Sequence, residues 1–100
     1  DVMGLTQNGE IWIVETKSCL ADYSVDSKWP DYMEYCDRFF FGVGEGFPQN
    51  LIPEACGLIV ADGFGGAILR QSPARVLAGA RRKAVTLLFA RLAAQRLGGA

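Results

Sequence analysis

The 100-residue sequence contains no histidine. That excludes imidazole as a general base, as the activator of a serine or cysteine nucleophile, and as a zinc ligand. Cysteine is scarce: Cys19, Cys36 and Cys56 are odd in number, widely spaced and without a Cys-x-x-Cys pair. A disulfide framework is therefore not expected, and a reducing, cytoplasmic setting fits better. No apolar run approaches the roughly 20 residues of a membrane span, and no basic-then-apolar leader precedes a cleavage site, so no membrane partner is expected. Acids are missing from the last third of the chain. After Asp62 come Arg70, Arg75, Arg81, Arg82, Lys83, Arg91 and Arg96 without one carboxylate among them. With these absences, any catalysis has to rest on carboxylates, lysine, tyrosine or a hard metal ion.

Half of the residues are hydrophobic, enough for the core of one small domain spanning residues 1–100. The chain begins with Asp, as expected of a fragment of a longer chain. The densest chemistry lies in Glu10-Ile11-Trp12-Ile13-Val14-Glu15-Thr16-Lys17. Alternate residues of a strand share a face, so Ile11, Ile13, Glu15 and Lys17 line one side and Trp12, Val14 and Thr16 the other. Both sides are apolar for most of the run, which predicts a strand covered on both faces. A carboxylate at the edge of such a core costs several kcal/mol unless it is paired or binds a cation. Charges at strand ends are common, and a Glu-x-Lys triplet alone says little.

The preceding segment adds weight. Asp1-Val2-Met3-Gly4-Leu5 is a second short apolar run, and Gln7-Asn8-Gly9 between the two is a hairpin signal. Two loops compete. A two-residue turn at Asn8-Gly9 would set Asp1 opposite Thr16. A three-residue loop with Gly9 left-handed would pair Thr6 with Glu10 and set Asp1 opposite Glu15, with Cβ atoms about 5 Å apart. Only the second puts Asp1, Glu15 and Lys17 on one face, and it is the expectation adopted. Two hard oxygen ligands suit a Mg²⁺ that keeps several waters. An adjacent lysine can orient a water or neutralise phosphate charge.

Asp1 followed by Glu15-Thr16-Lys17 closing a hairpin resembles the PD-(D/E)xK nuclease pattern, without the proline. The stretch from Trp12 to Lys17, with Leu20-Ala21-Asp22, Lys28-Trp29-Pro30, Tyr35-Cys36-Asp37-Arg38-Phe39 and Gly57-Leu58-Ile59-Val60-Ala61-Asp62, is similar to the MmcB-type DNA-repair endonucleases. The resemblance implies a restriction-endonuclease-like α/β fold, a mixed β-sheet flanked by helices. It implies Asp1 and Glu15 as ligands of Mg²⁺ or Mn²⁺ and Lys17 as the catalytic lysine. Members of that superfamily often add an acid from a helix before the first catalytic strand. No residues stand there in this chain, so that N-terminal helix is expected to be lacking.

The remaining elements read in order. Ser18 to Asp26 is polar and turn-like, with Asp22 and Asp26 as turn or cap residues. Ser27 is placed to cap a helix running to about Cys36, with Pro30 in its first turn. Arg38-Phe39-Phe40-Phe41-Gly42-Val43 is a central strand. Residues 48–54 suit one helical turn, and Gly57-Leu58-Ile59-Val60-Ala61 a buried strand. Asp62-Gly63-Phe64-Gly65-Gly66 is a hairpin turn into Ala67-Ile68-Leu69-Arg70. It lacks the spacing of a phosphate loop. The longest helix spans Gly79 to about Leu97, with Val85, Leu88, Phe89 and Leu92 expected against the sheet. A weaker apolar strip of Leu87, Ala90 and Ala94 points to a homodimer through this helix or to a missing segment.

Arg81, Arg82 and Lys83 sit in the helix's first turn, the unfavourable end of its dipole for cations. Bound phosphate would relieve that, as would neighbouring acids. The basic half is thus either a footprint for nucleic acid or a solvated surface balanced by the acidic half. The leading expectation is metal-dependent phosphodiester hydrolysis of DNA. Asp1, Glu15 and the Thr16 carbonyl would hold the metal, Lys17 would assist the attacking water, and Lys28, Arg81, Arg82 and Lys83 would meet the backbone. The rivals are an inactive nuclease-fold module that binds DNA or a repair partner, and a structural dimer domain.

Overall fold

The hairpin forms with the three-residue loop. In the computed structural model, which describes residues 1–24 and 28–98, strand β1 (Val2–Leu5) pairs antiparallel with β2 (Ile11–Lys17), setting Val2 opposite Val14 and Leu5 opposite Ile11. The Thr6 N–H donates to the Glu10 carbonyl at 2.9 Å and the Gly9 N–H to the Thr6 carbonyl at 3.0 Å. Gly9 has φ +81°, a left-handed conformation that glycine adopts without a Cβ penalty. One further step along the register sets Asp1 opposite Glu15.

The chain then crosses over the sheet through α1 (Leu20–Ser24) and α2 (Trp29–Tyr32), which tightens into a 3₁₀ turn at Met33–Tyr35. Residues 18–26, expected as turn, therefore contain a short helix. It is fastened by Tyr23, whose ring lies edge-on to Phe41 at 5.5 Å and to Phe47 at 5.8 Å. Asp26 and Ser27, expected as turn and cap residues, and the side chain of Asp22 lie outside the described residues. Strand β3 (Arg38–Gly44) returns parallel to β2. A connection containing a 3₁₀ turn at Gln49–Leu51 leads to β4 (Gly57–Ala61), parallel to β3, and β5 (Gly66–Arg70) closes antiparallel to β4. The sheet order is β1-β2-β3-β4-β5, and α3 (Gly79–Arg96) follows. This is the expected α/β fold with a mixed sheet, β3 at its centre.

The two faces of the sheet differ. Ile11, Ile13, Phe39, Phe41, Val43 and Leu58 belong to one buried cluster. Tyr23, Trp29 and Tyr32 pack against it, and Val85 of α3 belongs to it. Phe39, Phe40 and Phe41 are fully buried, each stabilising the fold by about 1.5–3 kcal/mol. Phe40 points to the other face, where Trp12 covers it at a ring distance of 5.0 Å. Beyond that pair the second face opens into a groove lined by Val14, Thr16, Gly42, Ile59 and Ala61. Coverage of β2 on both faces, expected from its composition, thus holds only around Phe40. The helical side chains that reach the core all join the first face.

Helix α3 also departs from expectation. Of its predicted sheet-facing stripe only Val85 is buried; Phe89 is half-buried, and Leu88 and Leu92 remain 50% and 45% exposed. The helix runs beside a strand of only four residues, too small a platform to cover its second half.

Candidate functional site

The period-two alternation of β2 carries Glu15 and Lys17 inward behind Ile11 and Ile13. Both side chains are only 8% exposed, and Lys17 Nζ lies 3.3 Å from Glu15 Oε1. The other carboxylate oxygen, Glu15 Oε2, is buried and meets no hydrogen-bond partner among the described residues. A buried carboxylate oxygen without a donor costs free energy, so this atom has acceptor capacity that the described residues leave unmet.

Asp1 stands across the hairpin. It is exposed, and its Oδ1 accepts a long bond of 3.4 Å from the Thr16 N–H. Asp1, Val2, Met3, Ile13, Glu15 and Tyr32 line an open hollow of roughly 270 Å³. The two acids reach one space, as the register requires. Lys17 is not among the hollow's walls and bears on it through Glu15. Among the described residues no three acidic, cysteine or histidine side chains cluster as a self-sufficient metal cage. A hard cation at this place would have two carboxylates from the chain, with waters completing its shell. The residues fit such an ion: one exposed carboxylate, one buried oxygen lacking a partner, and a lysine that neutralises the remaining oxygen.

The basic residues are divided. Lys28, before α2, and Lys83 are exposed. Arg81 lies half-buried with its guanidinium carbon 4.2 Å above the Tyr35 ring, and its Nη1 has no hydrogen-bond partner among the described residues. Arg82, expected to meet phosphate, is engaged within the fold. Its Nη1 donates to Asp37 Oδ2 at 2.9 Å and to the Gly9 carbonyl at 2.8 Å, and its Nη2 makes a short bond to Asp37 Oδ1. Asp37 is buried, and its Oδ2 also accepts the Ile11 N–H at 2.7 Å. The Arg82 guanidinium holds the Asp37 carboxyl below the usual carboxylate range, and Asp37 in turn raises the Arg82 pKa. This clasp joins the first turn of α3 to the start of β2. From Ile11 to Glu15 is four residues of extended chain, about 13 Å, so the basic first turn stands away from the acid pair.

The far end of α3 comes closer. Asp1, Val2 and Met3 also line a second hollow of roughly 560 Å³, with Leu88, Phe89, Leu92, Ala93, Arg96 and Leu97 on its other wall. Arg96 and Tyr32, neither of them singled out by sequence for the site, thus stand beside the acids. Sequence spacing held a clue to the first: Arg96 and Leu92 lie four residues apart, on one helix face.

Fold and site together define a small α/β domain in which two acids, one of them backed by a lysine, line one open hollow. The whole chain, residues 1–100, matches the family described as DNA repair protein MmcB-like, and the chain belongs to that family. It is similar to a solved protein of unknown function from Silicibacter pomeroyi, with 48% identity and a TM-score of 0.92, covering 97% of this chain and 66% of that one. It therefore spans just under two thirds of that relative's length. No curated protein sequence matches it. Among the described residues no helix is long and apolar enough to cross a membrane.

Proposed function

We propose that this chain carries the catalytic residues of a metal-dependent deoxyribonuclease working in DNA repair, with a restriction-endonuclease-like sheet of the PD-(D/E)xK kind. The observation that carries the proposal is the buried, unpartnered Oε2 of Glu15, a residue that lines the hollow shared with Asp1. Asp1 and Glu15 would hold Mg²⁺ or Mn²⁺, with the Thr16 carbonyl as a further ligand. Such an ion supplies polarisation of a phosphoryl oxygen and a water of lowered pKa. Lys17 Nζ, 3.3 Å from Glu15 Oε1, would hold that carboxylate in place and add positive charge behind it. Lys28, Arg81 and Lys83 would contact the DNA backbone. Binding through phosphates carries little sequence preference and a steep salt dependence.

A second reading has its own support. The Lys17–Glu15 pair already satisfies one carboxylate oxygen, an arrangement equally suited to a nuclease-fold module that binds DNA or a repair partner without turnover. Cleavage of branched, single-stranded and duplex DNA by the complete protein, with and without Mg²⁺, separates the two. The nuclease reading expects Mg²⁺-dependent products that Glu15→Gln and Lys17→Ala abolish. Equal inertness of wild type and variants, with salt-sensitive binding retained, favours the binding module.

A further inference from the structure

We propose that Tyr32 is a further catalytic residue, its phenol donating a hydrogen bond to a non-bridging oxygen of the phosphodiester held at the acid pair. The inference deepens the proposed function and rests on Asp1 and Glu15 as the place where that phosphate sits. Three observations carry it. Tyr32 lines the acid hollow together with Asp1, Val2, Met3, Ile13 and Glu15. Of these six side chains it alone carries a hydrogen-bond donor. Its hydroxyl meets no hydrogen-bond partner among the described residues; only its backbone carbonyl is engaged, accepting the Cys36 thiol at 3.4 Å. The place of the ring follows from the sheet. Phe39 stands opposite Ile13 across β2 and β3, and Tyr32 stacks on Phe39 at a ring distance of 6.5 Å. Ile13 and Glu15 share one face of β2, about 6.6 Å apart along the strand. A ring seated on Phe39 therefore lies on the face that carries Glu15.

The polarity of the hollow gives the phenol its task. Both acids are acceptors, and so are the non-bridging oxygens of a phosphodiester. A cation between them answers the carboxylates, yet the phosphoryl oxygens still need donors. Lys17 is engaged with Glu15 and is not among the walls. Arg82 is held by Asp37 and the Gly9 carbonyl. Tyr32 is the side-chain donor that remains in the hollow. As a water oxygen bonds to phosphorus and the bond to the leaving oxygen breaks, negative charge gathers on the non-bridging oxygens, and a donor already fixed there lowers the barrier. Tyr32 keeps its proton throughout. The residue type suits the place, since an apolar ring packs on the core while its polar tip reaches wet space.

The test compares the complete wild-type protein with two replacements. Tyr32→Phe keeps the ring and its stack on Phe39. O-methyltyrosine in place of Tyr32 keeps the oxygen as well and removes only the proton. Three quantities are read: Mn²⁺ binding by electron paramagnetic resonance, affinity for a labelled oligonucleotide by fluorescence anisotropy with Ca²⁺ in place of Mg²⁺, and the rate of cleavage with Mg²⁺. Both replacements should leave Mn²⁺ binding unchanged. They should weaken oligonucleotide binding about tenfold, the loss of one hydrogen bond to a charged group, and lower kcat about 100-fold, the loss of one donor to a developing oxyanion. A Tyr32→Phe protein of wild-type circular dichroism, affinity and rate overturns the inference, as does an O-methyltyrosine protein as active as wild type. So does a fall in Mn²⁺ binding that matches the fall in rate, which would tie Tyr32 to the metal seat and not to the phosphate. A wild-type protein that binds no Mn²⁺ and cuts no DNA takes away the metal reading and this inference together; Mg²⁺-dependent cleavage untouched by either replacement removes the inference alone. In a wild-type protein that binds Mn²⁺ and DNA without cutting, the nuclease reading falls, and the affinity measurement by itself upholds or overturns the contact of Tyr32 with phosphate.

Discussion

Replacing Lys17 by Met would remove the ammonium that lies 3.3 Å from Glu15 Oε1 while both side chains are 8% exposed. Glu15 would then carry a buried charge with one oxygen newly stripped of its partner and the other already without one. Breaking a buried pair from one side costs about 3–5 kcal/mol, whereas replacing both members by apolar groups of similar volume is often neutral or stabilising. Lys17→Met should therefore lose about 3–5 kcal/mol, and the double variant Lys17→Met/Glu15→Leu much less. A domain of this size is stable by about 5–15 kcal/mol, so the single variant should still be foldable. Urea unfolding followed through Trp12 and Trp29 fluorescence measures the three stabilities. If the acid pair binds a cation, Mg²⁺ at a hundredfold excess over its dissociation constant should return about 2.7 kcal/mol to Lys17→Met. A single-variant loss below about 1 kcal/mol, the range of a solvent-screened surface pair, would refute the reasoning. So would a double variant no more stable than the single.

Three further outcomes follow from the geometry. Asp37→Asn should destabilise the protein at neutral pH. The folded Asp37 carboxyl titrates below its ordinary value of 3.8 because Arg82 donates to it, so its contribution is full above that value and fades as pH falls through the lower folded one; the stability gap to Asp37→Asn should stay constant from neutral pH down to about pH 4 and close only below it. Gly57→Ala would set a Cβ 2.3 Å from Phe40 Cδ2 and 2.8 Å from the Ser72 amide nitrogen, and with Phe40 fully buried the cost in denaturant melts should be at least about 1–3 kcal/mol. Cys36 and Cys56 have thiols pushed up to about 11 by burial, whereas Cys19 is exposed; a thiol reagent applied to native protein at mildly alkaline pH should label Cys19 first, as read by peptide mass spectrometry.

The hairpin itself was legible from Gln7-Asn8-Gly9, but its register was not fixed by Gly9, which is left-handed in either loop. The structure decides it: Asn8 does not take the positive φ a two-residue turn would need, while Gly9 does at +81°, so the three-residue loop forms and brings Asp1 across from Glu15. The central strand was equally plain, since three consecutive phenylalanines leave no solvent face. What was not legible depends on partners distant in sequence. Asp37 and Arg82 are 45 residues apart. The basic triplet at the start of α3 reads as solvent- or phosphate-facing on local grounds, until a buried carboxylate takes its middle member. The spacing of Val85, Leu88, Phe89 and Leu92 shows which side of α3 is apolar but not how far the sheet beneath it extends. Likewise the two-sided apolar pattern of β2 suggests cover on both faces, and only the fold reveals that the helices all reach one. The short helix Leu20–Ser24 owes its place to the Tyr23 contacts with Phe41 and Phe47, which local propensity does not encode.

The central claim is that Asp1 and Glu15 together seat one divalent ion. Mn²⁺ titrated into the complete protein and followed by electron paramagnetic resonance counts that ion directly. The account predicts a single bound Mn²⁺ per chain, displaced by Mg²⁺ and lost in Glu15→Gln. No bound Mn²⁺ in the wild type, or equal binding by wild type and Glu15→Gln, would contradict it.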